Sequence, residues 1–97
     1  MGVVMNMRWT GVTPEQYEQA RRLINWEGNP PAGGLMHVAW FDNSGLRVTD
    51  FWDSAEQFQA FVDNRLMPGV QQVGIKGEPE VTIQPAYAAW APGGIRR

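Results

Sequence analysis

Two stretches of the chain, Thr13-Pro14-Glu15-Gln16 and Ser54-Ala55-Glu56-Gln57, carry the same helix-start chemistry, and each comes soon after a β-compatible run. In both, a hydroxyl residue stands where an N-cap belongs and a glutamine follows three positions later, so that side chains and free backbone N–H groups can satisfy one another. Pro14 adds the φ angle that suits a first helical position, and Val12 and Tyr17 are spaced as a hydrophobic staple. A chain that passes twice from strand to capped helix, with further β-rich runs after each helix, is held to the order strand, helix, strand, strand, helix, strand.

The elements can be placed within this frame. Val3 to Thr10 reads as a first strand, apolar enough to be buried in part on both faces. The first helix is expected to run to about Glu27 with Tyr17, Ala20, Leu23 and Ile24 as its buried stripe, and Gly28-Asn29-Pro30-Pro31 stops it. Leu35 to Phe41 and Leu46 to Trp52 form a hairpin about Asp42-Asn43-Ser44-Gly45, residue types that supply a tight turn. The second helix carries Phe58, Phe61, Val62 and Leu66 and is expected to end at Pro68-Gly69, with one short helical turn around Val70 and Val73. Glu80 to Trp90 reads as a last strand interrupted by Pro85, which lacks an amide donor and fits a sheet edge or a bulge. Residues 1–90 are expected to form one domain and residues 91–97 a C-terminal tail, which together with Trp90 could cover a partner subunit.

Composition narrows the function classes. A 97-residue chain with a net charge of −2 is one domain's length and lacks the basic balance of a nucleic-acid binder, so no nucleic-acid partner is expected. It has no cysteine, which excludes a catalytic thiol, a thiolate metal site and a disulfide framework. One histidine and scattered carboxylates give no metal-ligand spacing, and Gly28 to Gly34 lacks the Lys and Ser or Thr of a phosphate-binding loop. The start, Met1 to Arg8, is unlike a signal peptide, and no run approaches membrane-spanning length, so a cytoplasmic protein without membrane contact is expected.

Apolar residues occur at both parities of the second strand, Met36, Val38 and Trp40 against Leu35, Ala39 and Phe41. Two helices cover one face of a four-stranded sheet, and the chain has no further element for the other. The economical solution is a homodimer packed sheet to sheet about a two-fold axis, and five tryptophans in so short a chain suit interfaces and ligand pockets.

The only histidine, His37, lies in the second strand. If Phe41 pairs with Leu46, His37 stands opposite Asp50 and Leu35 opposite Trp52, which puts His37, Asp50 and Trp52 on one face. A carboxylate beside an imidazole fixes its tautomer and raises its basicity, making a catalytic pair able to take a proton from a phenol or an activated carbon acid. A bulge at Gly45 would instead set His37 opposite Phe51 and dissolve the pair. The same two residues also suit a plain hydrogen-bonded pair inside a two-sided sheet. Asn6 and Arg8 share one parity of the first strand and could reach the same cavity, Arg8 toward a phenolate or carboxylate. Phe58 and Tyr87 are further candidates for lining a ligand, and Tyr17 is a staple residue before it is an acid.

The element order, and above all Asp50-Phe51-Trp52-Asp53-Ser54-Ala55-Glu56-Gln57-Phe58, resembles the strand-to-helix junction of the dimeric α/β barrel superfamily, in its antibiotic biosynthesis monooxygenase-like branch. The resemblance spans Val3 to about Trp90. It implies an α+β, ferredoxin-like βαββαβ fold with an antiparallel sheet, forming a dimeric α/β barrel. It also implies a cleft between sheet and helices, lined by the tryptophan matching Trp52, for a small hydrophobic, aromatic or polyketide-like molecule. Some members oxidise such molecules with dioxygen and no cofactor, and others cyclise polyketides, isomerise lactones or degrade haem. Val48 and Phe61 stand where family oxygenases often carry an asparagine and a histidine, and without a histidine on the second helix the haem-degrading chemistry is not expected. Two functions remain open: a cofactor-independent monooxygenase or cyclase, with an open cavity, and a non-catalytic ligand-binding or structural dimer.

Overall fold

The structure, a computed structural model, describes residues 2–95; Met1 at the chain start and Arg96 and Arg97 of the expected tail lie outside the described residues. The elements are β1 (Val3–Thr10), α1 (Pro14–Ile24), β2 (Gly34–Asp42), β3 (Gly45–Trp52), α2 (Ala55–Phe61), a π-helical turn (Val62–Leu66), α3 (Met67–Val73) and β4 (Glu80–Pro85). The sheet order is β2-β3-β1-β4, with every neighbouring pair antiparallel. Each helical segment therefore crosses over an intervening strand, and the helices share one face. This is the ferredoxin-like α+β arrangement that the element order demanded.

Both helix starts form as their sequences dictate. At α1 the Gln16 amide donates to Thr13 Oγ1 at 3.2 Å and the Thr13 amide to Gln16 Oε1 at 3.1 Å, a reciprocal box. At α2 the Gln57 amide donates to Ser54 Oγ at 3.1 Å, but Gln57 Oε1 accepts from the serine hydroxyl rather than its amide. The helix ends differ from expectation. α1 stops at Ile24 because Asn25 takes the left-handed conformation, φ 57°, and its amide donates to the Arg21 carbonyl at 3.0 Å. Leu23 is left half-exposed rather than joining the buried stripe of Ala20 and Ile24.

Pro68-Gly69 does not end the second helix. The Met67 amide donates to the Val62 carbonyl five residues back, and the widened turn delivers Pro68, which has no amide to offer, into the first turn of α3. Helix continues to Gly74, φ 91°. Gly69 is buried where a Cβ would stand 2.3 Å from Ile24 Cγ1, so its bare backbone lets α3 lie against the end of α1. Arg65 of the π turn donates to the Ile24 carbonyl at 3.0 Å, occupying an acceptor that the end of α1 leaves open.

The hairpin pairs Phe41 with Leu46 and His37 with Asp50, through a turn whose Asp42 carboxylate accepts from the Ser44 amide, the Ser44 hydroxyl and the Gly45 amide. No bulge forms at Gly45, although its φ of 145° and a notional Cβ 2.5 Å from the Trp9 carbonyl oxygen reserve the position for glycine. A bulge forms instead at the other end: Met36 faces Phe51, and Gly34 rather than Leu35 faces Trp52. β4 is an edge strand and ends at Pro85 rather than Trp90, because its partner β1 starts at Val3 and the last bond is Ala86 to the Gly2 carbonyl at 2.9 Å.

The core lies between helices and sheet: Met5, Met7 and Trp9 of β1, Leu46, Val48 and Trp52 of β3, Phe58 of α2 and Val70 of α3. Trp9 also donates to the Lys76 carbonyl at 3.0 Å, tying the segment after α3 to the sheet.

Candidate functional site

β3 alternates strictly, with Leu46, Val48, Asp50 and Trp52 buried and Arg47, Thr49 and Phe51 half-buried. A period of two carries Asp50 to the helix-covered face, and it is the one charged residue buried in the core of the described chain, 7% exposed. A carboxyl group there is costly unless its oxygens are bonded. Trp52 Nε1–H, two residues along the strand, donates to Oδ2 at 3.0 Å, and His37 Nδ1, directly across the ladder, lies 2.7 Å from Oδ1. The His37 side chain is 35% exposed and passes the chain outward, its Nε2 lying 2.7 Å from the Tyr17 hydroxyl in α1. Trp52, Asp50, His37 and Tyr17 form one hydrogen-bonded row from core to surface.

Proton positions are set by the chemistry of the members. Burial pushes the Tyr17 hydroxyl up to about 12, against the pull of Arg21, so at neutral pH it is a phenol, a group able to donate to Nε2 or accept from it. An imidazole that accepts at Nε2 carries its proton on Nδ1 and donates it to Asp50. In that arrangement Nδ1–H meets the Asp50 carboxylate and Nε2 meets the Tyr17 hydroxyl, so both ring nitrogens are partnered.

Beside this row lies a cavity of about 240 Å³ between sheet and helices. Its walls are mostly apolar, including Met5, Val48, Phe58 and Phe61, and its ionisable wall residues are Tyr17, His37 and Asp50. Trp52 is packed edge-on by Phe58, with ring centroids 5.4 Å apart, and at a tilt of 37° by Phe61 at 5.6 Å. At the outer end Trp26 stands 5.7 Å from the Tyr17 ring and 5.5 Å from His37, while Phe41 meets Tyr17 edge-on at 6.2 Å. Among the described residues no three His, Asp or Glu side chains gather as metal ligands would.

His37, Asp50 and Trp52 are brought together by the hairpin register, and Phe58 joins them from α2. Asn6 and Arg8 do not reach the cavity: Met5, Met7 and Trp9 point to the helices, so the even positions of β1 point away. Asn6 instead accepts from the Thr49 hydroxyl at 2.7 Å on the open face, in a groove shared with Arg8, Trp40 and Glu80. Tyr87 lies past the end of β4, 99% exposed, and does not line this cavity. Tyr17 is a second-rank candidate in the sequence, but its contact with His37, like the place of Trp26 in the cavity wall, escapes sequence reasoning. Tyr17 reaches His37 only through the packing of α1 on the sheet, which spacing does not encode, and Trp26, just past the helix stop, announces itself only as a large aromatic in a loop.

No protein-family model matches the chain, and no curated protein matches it in sequence. Solved structures do match. A protein of unknown function from Nitrosomonas europaea, NE2512, superposes with a TM-score of 0.68 at 17% identity, covering 96% of both chains. SnoaB, a cofactor-independent oxygenase from Streptomyces nogalater, gives 0.62 at 12% identity over 91% of this chain and 94% of its own. The ActVA-Orf6 monooxygenase of Streptomyces coelicolor, solved with the ligand nanaomycin D, gives 0.59 at 14% identity over 95% and 92%. The chain therefore has the ferredoxin-like fold of antibiotic biosynthesis monooxygenase-like proteins.

Proposed function

We propose that the chain binds a small aromatic molecule in the cavity beside Trp52 and takes a proton from it with the His37–Asp50 pair, the step shared by cofactor-independent oxygenation and cyclisation. The observation that carries this reading is the buried Asp50, bonded through both oxygens and aligned with the His37 imidazole on the wall of an apolar cavity. Asp50 orients His37 and stabilises the imidazolium that forms when the proton arrives. An electron-rich phenolate made this way can give electrons to dioxygen, so that a phenol plus O2 becomes a quinone plus water. The cavity, at about 240 Å³, is smaller than the usual ligand pocket of about 300–1,000 Å³ and suits one or two rings. That SnoaB is a cofactor-independent oxygenase and that ActVA-Orf6 holds nanaomycin D support the reading at the level of fold.

The test is titration with 1-naphthol, followed by quenching of tryptophan fluorescence, and then oxygen uptake under air. Saturable quenching with uptake that falls at least tenfold in His37→Ala is expected. Absence of saturable binding removes the proposal. A second reading, a non-catalytic binder, is favoured by one fact: no buried side-chain nitrogen or oxygen among the described residues lacks a partner, so the row is complete as a structural network. It predicts the same quenching with no uptake.

The same proposal includes a homodimer packed through the open sheet face. Val38 and Trp40 are exposed there at 40% and 44%, and Tyr87 and Trp90, at 99% and 88%, extend beyond β4 without packing on their own core. A large apolar exposure of this kind favours a partner. Sedimentation equilibrium is expected to give twice the chain mass for the wild type and a monomer for Trp40→Glu.

A further inference from the structure

We infer that Tyr17, not His37, meets the acidic hydroxyl of the ligand, and that the ligand's proton enters the row through the Tyr17 oxygen; this rests on the proton-abstraction reading above. Both imidazole nitrogens are already engaged at 2.7 Å, Nδ1 by Asp50 and Nε2 by the Tyr17 hydroxyl, so a ligand reaches Nε2 only by displacing the phenol. Displacement is resisted. Tyr17 sits in the first turn of α1, its amide bonded to the Thr13 carbonyl at 3.0 Å, and its ring is flanked by Trp26 and Phe41. The Tyr17 oxygen, by contrast, is open. With the imidazole proton on Nδ1, toward Asp50, its one O–H serves Nε2; no other hydrogen bond from the described residues reaches the oxygen, and a phenol oxygen has lone pairs for an incoming O–H. It is protonated at neutral pH, as the relay requires, and burial moves its ionisation further away.

The step balances as a double proton transfer. The ligand O–H bond breaks and its proton joins the Tyr17 oxygen, while the Tyr17 proton moves to Nε2. The products are a ligand phenolate held by a neutral Tyr17 O–H and an imidazolium on the Asp50 carboxylate, with no electrons moved. A relay that begins at a phenol oxygen serves a ligand whose acidic proton is on oxygen. A carbon acid is a poor hydrogen-bond donor to that oxygen, so the substrate class narrows from phenols or carbon acids to hydroxyarenes.

The experiment uses 4-nitrophenol, whose phenolate is coloured, with binding read by tryptophan quenching and ionisation of the bound probe read by visible absorbance against pH. The wild type is expected to lower the pH of ionisation by about one unit, a tenfold change in the constant. Tyr17→Phe is expected to bind the neutral probe more weakly, by the one hydrogen bond lost, and to lose the shift altogether, and His37→Gln to lose the shift as well. In a Tyr87→Phe chain made with 3-fluorotyrosine, whose hydroxyl is more acidic and a stronger donor, ionisation is expected to move further down, a response that a packing role for Tyr17 does not give. If Tyr17→Phe keeps or enlarges the shift, His37 meets the ligand directly and the relay is overturned while the base reading stands. If His37→Gln keeps the shift, or the wild type shows none, the base reading falls and takes the relay with it.

Discussion

The two faces of the sheet are made by the same strands, one residue out of step, and they treat polar groups in opposite ways. On the open face Asn6 and Thr49 bond each other across β1 and β3 in contact with solvent, and Arg8, Arg47 and Glu80 stand near them. On the covered face the one charged residue, Asp50, is buried and must be partnered by side chains from β2 and β3. Solvent can replace a lost partner on the first face and cannot on the second. The chemistry of an aspartate or asparagine in this chain is therefore decided by the parity of its position.

The largest contrast is expected between Trp52→Ala and Thr49→Ala. The first removes a buried indole and a donor to Asp50 and should cost about 3–5 kcal/mol in urea unfolding; the second should stay within about 0.5 kcal/mol. Equal losses would dissolve the distinction between the faces. Next comes His37→Ala, which leaves Asp50 Oδ1 without its partner and should cost about 1–3 kcal/mol, against a few tenths for Asn6→Ala.

A pH series sharpens the comparison further. Tyr17 ionises at about 12 in the fold and at 10.0 when unfolded, so the native state binds the extra proton in between. Its contribution is fully present below pH 10 and is lost as pH rises toward 12. A difference titration of wild type against Tyr17→Phe should show the phenol ionising near 12, and the stability loss should be smaller in the variant.

The smallest effect is expected at the hairpin rim. The Ser44 hydroxyl and amide, with Arg47, hold the Asp42 carboxyl below the usual carboxylate range. Its contribution is present above that range and is lost as pH falls through the folded value. Ser44→Ala should flatten the acid limb of the melting curve slightly and leave neutral stability almost unchanged.

The contrast also explains what could be read in advance. The capping box at Thr13, the serine cap at Ser54 and the Asp42 turn are local rules, and the turn sets the register that puts His37 across from Asp50. Parity then carries Trp52 to the same side, and places Asn6 and Arg8 away from it once the covered face of β1 is known to be Met5, Met7 and Trp9. What sequence hid is what packing decides. Pro68 reads as a helix stop because the wider π turn that admits it depends on α3 docking against Ile24. Tyr17 reads as a staple residue because its meeting with His37 spans two elements joined only through the sheet.

The bulge at Leu35 makes the ligand space a matter of residue count. Strict alternation from His37 would place a leucine side chain opposite Trp52; the extra residue places Gly34 there, whose notional Cβ would already stand 3.5 Å from Trp52 Cη2. Shortening the strand by one residue at this point converts bare backbone into an isobutyl group over the indole and reduces the room beside it. Length variation at the start of β2 is thus a route, besides substitution within the core, by which this chain can resize what it holds, since everything from Met36 to the turn keeps its partner.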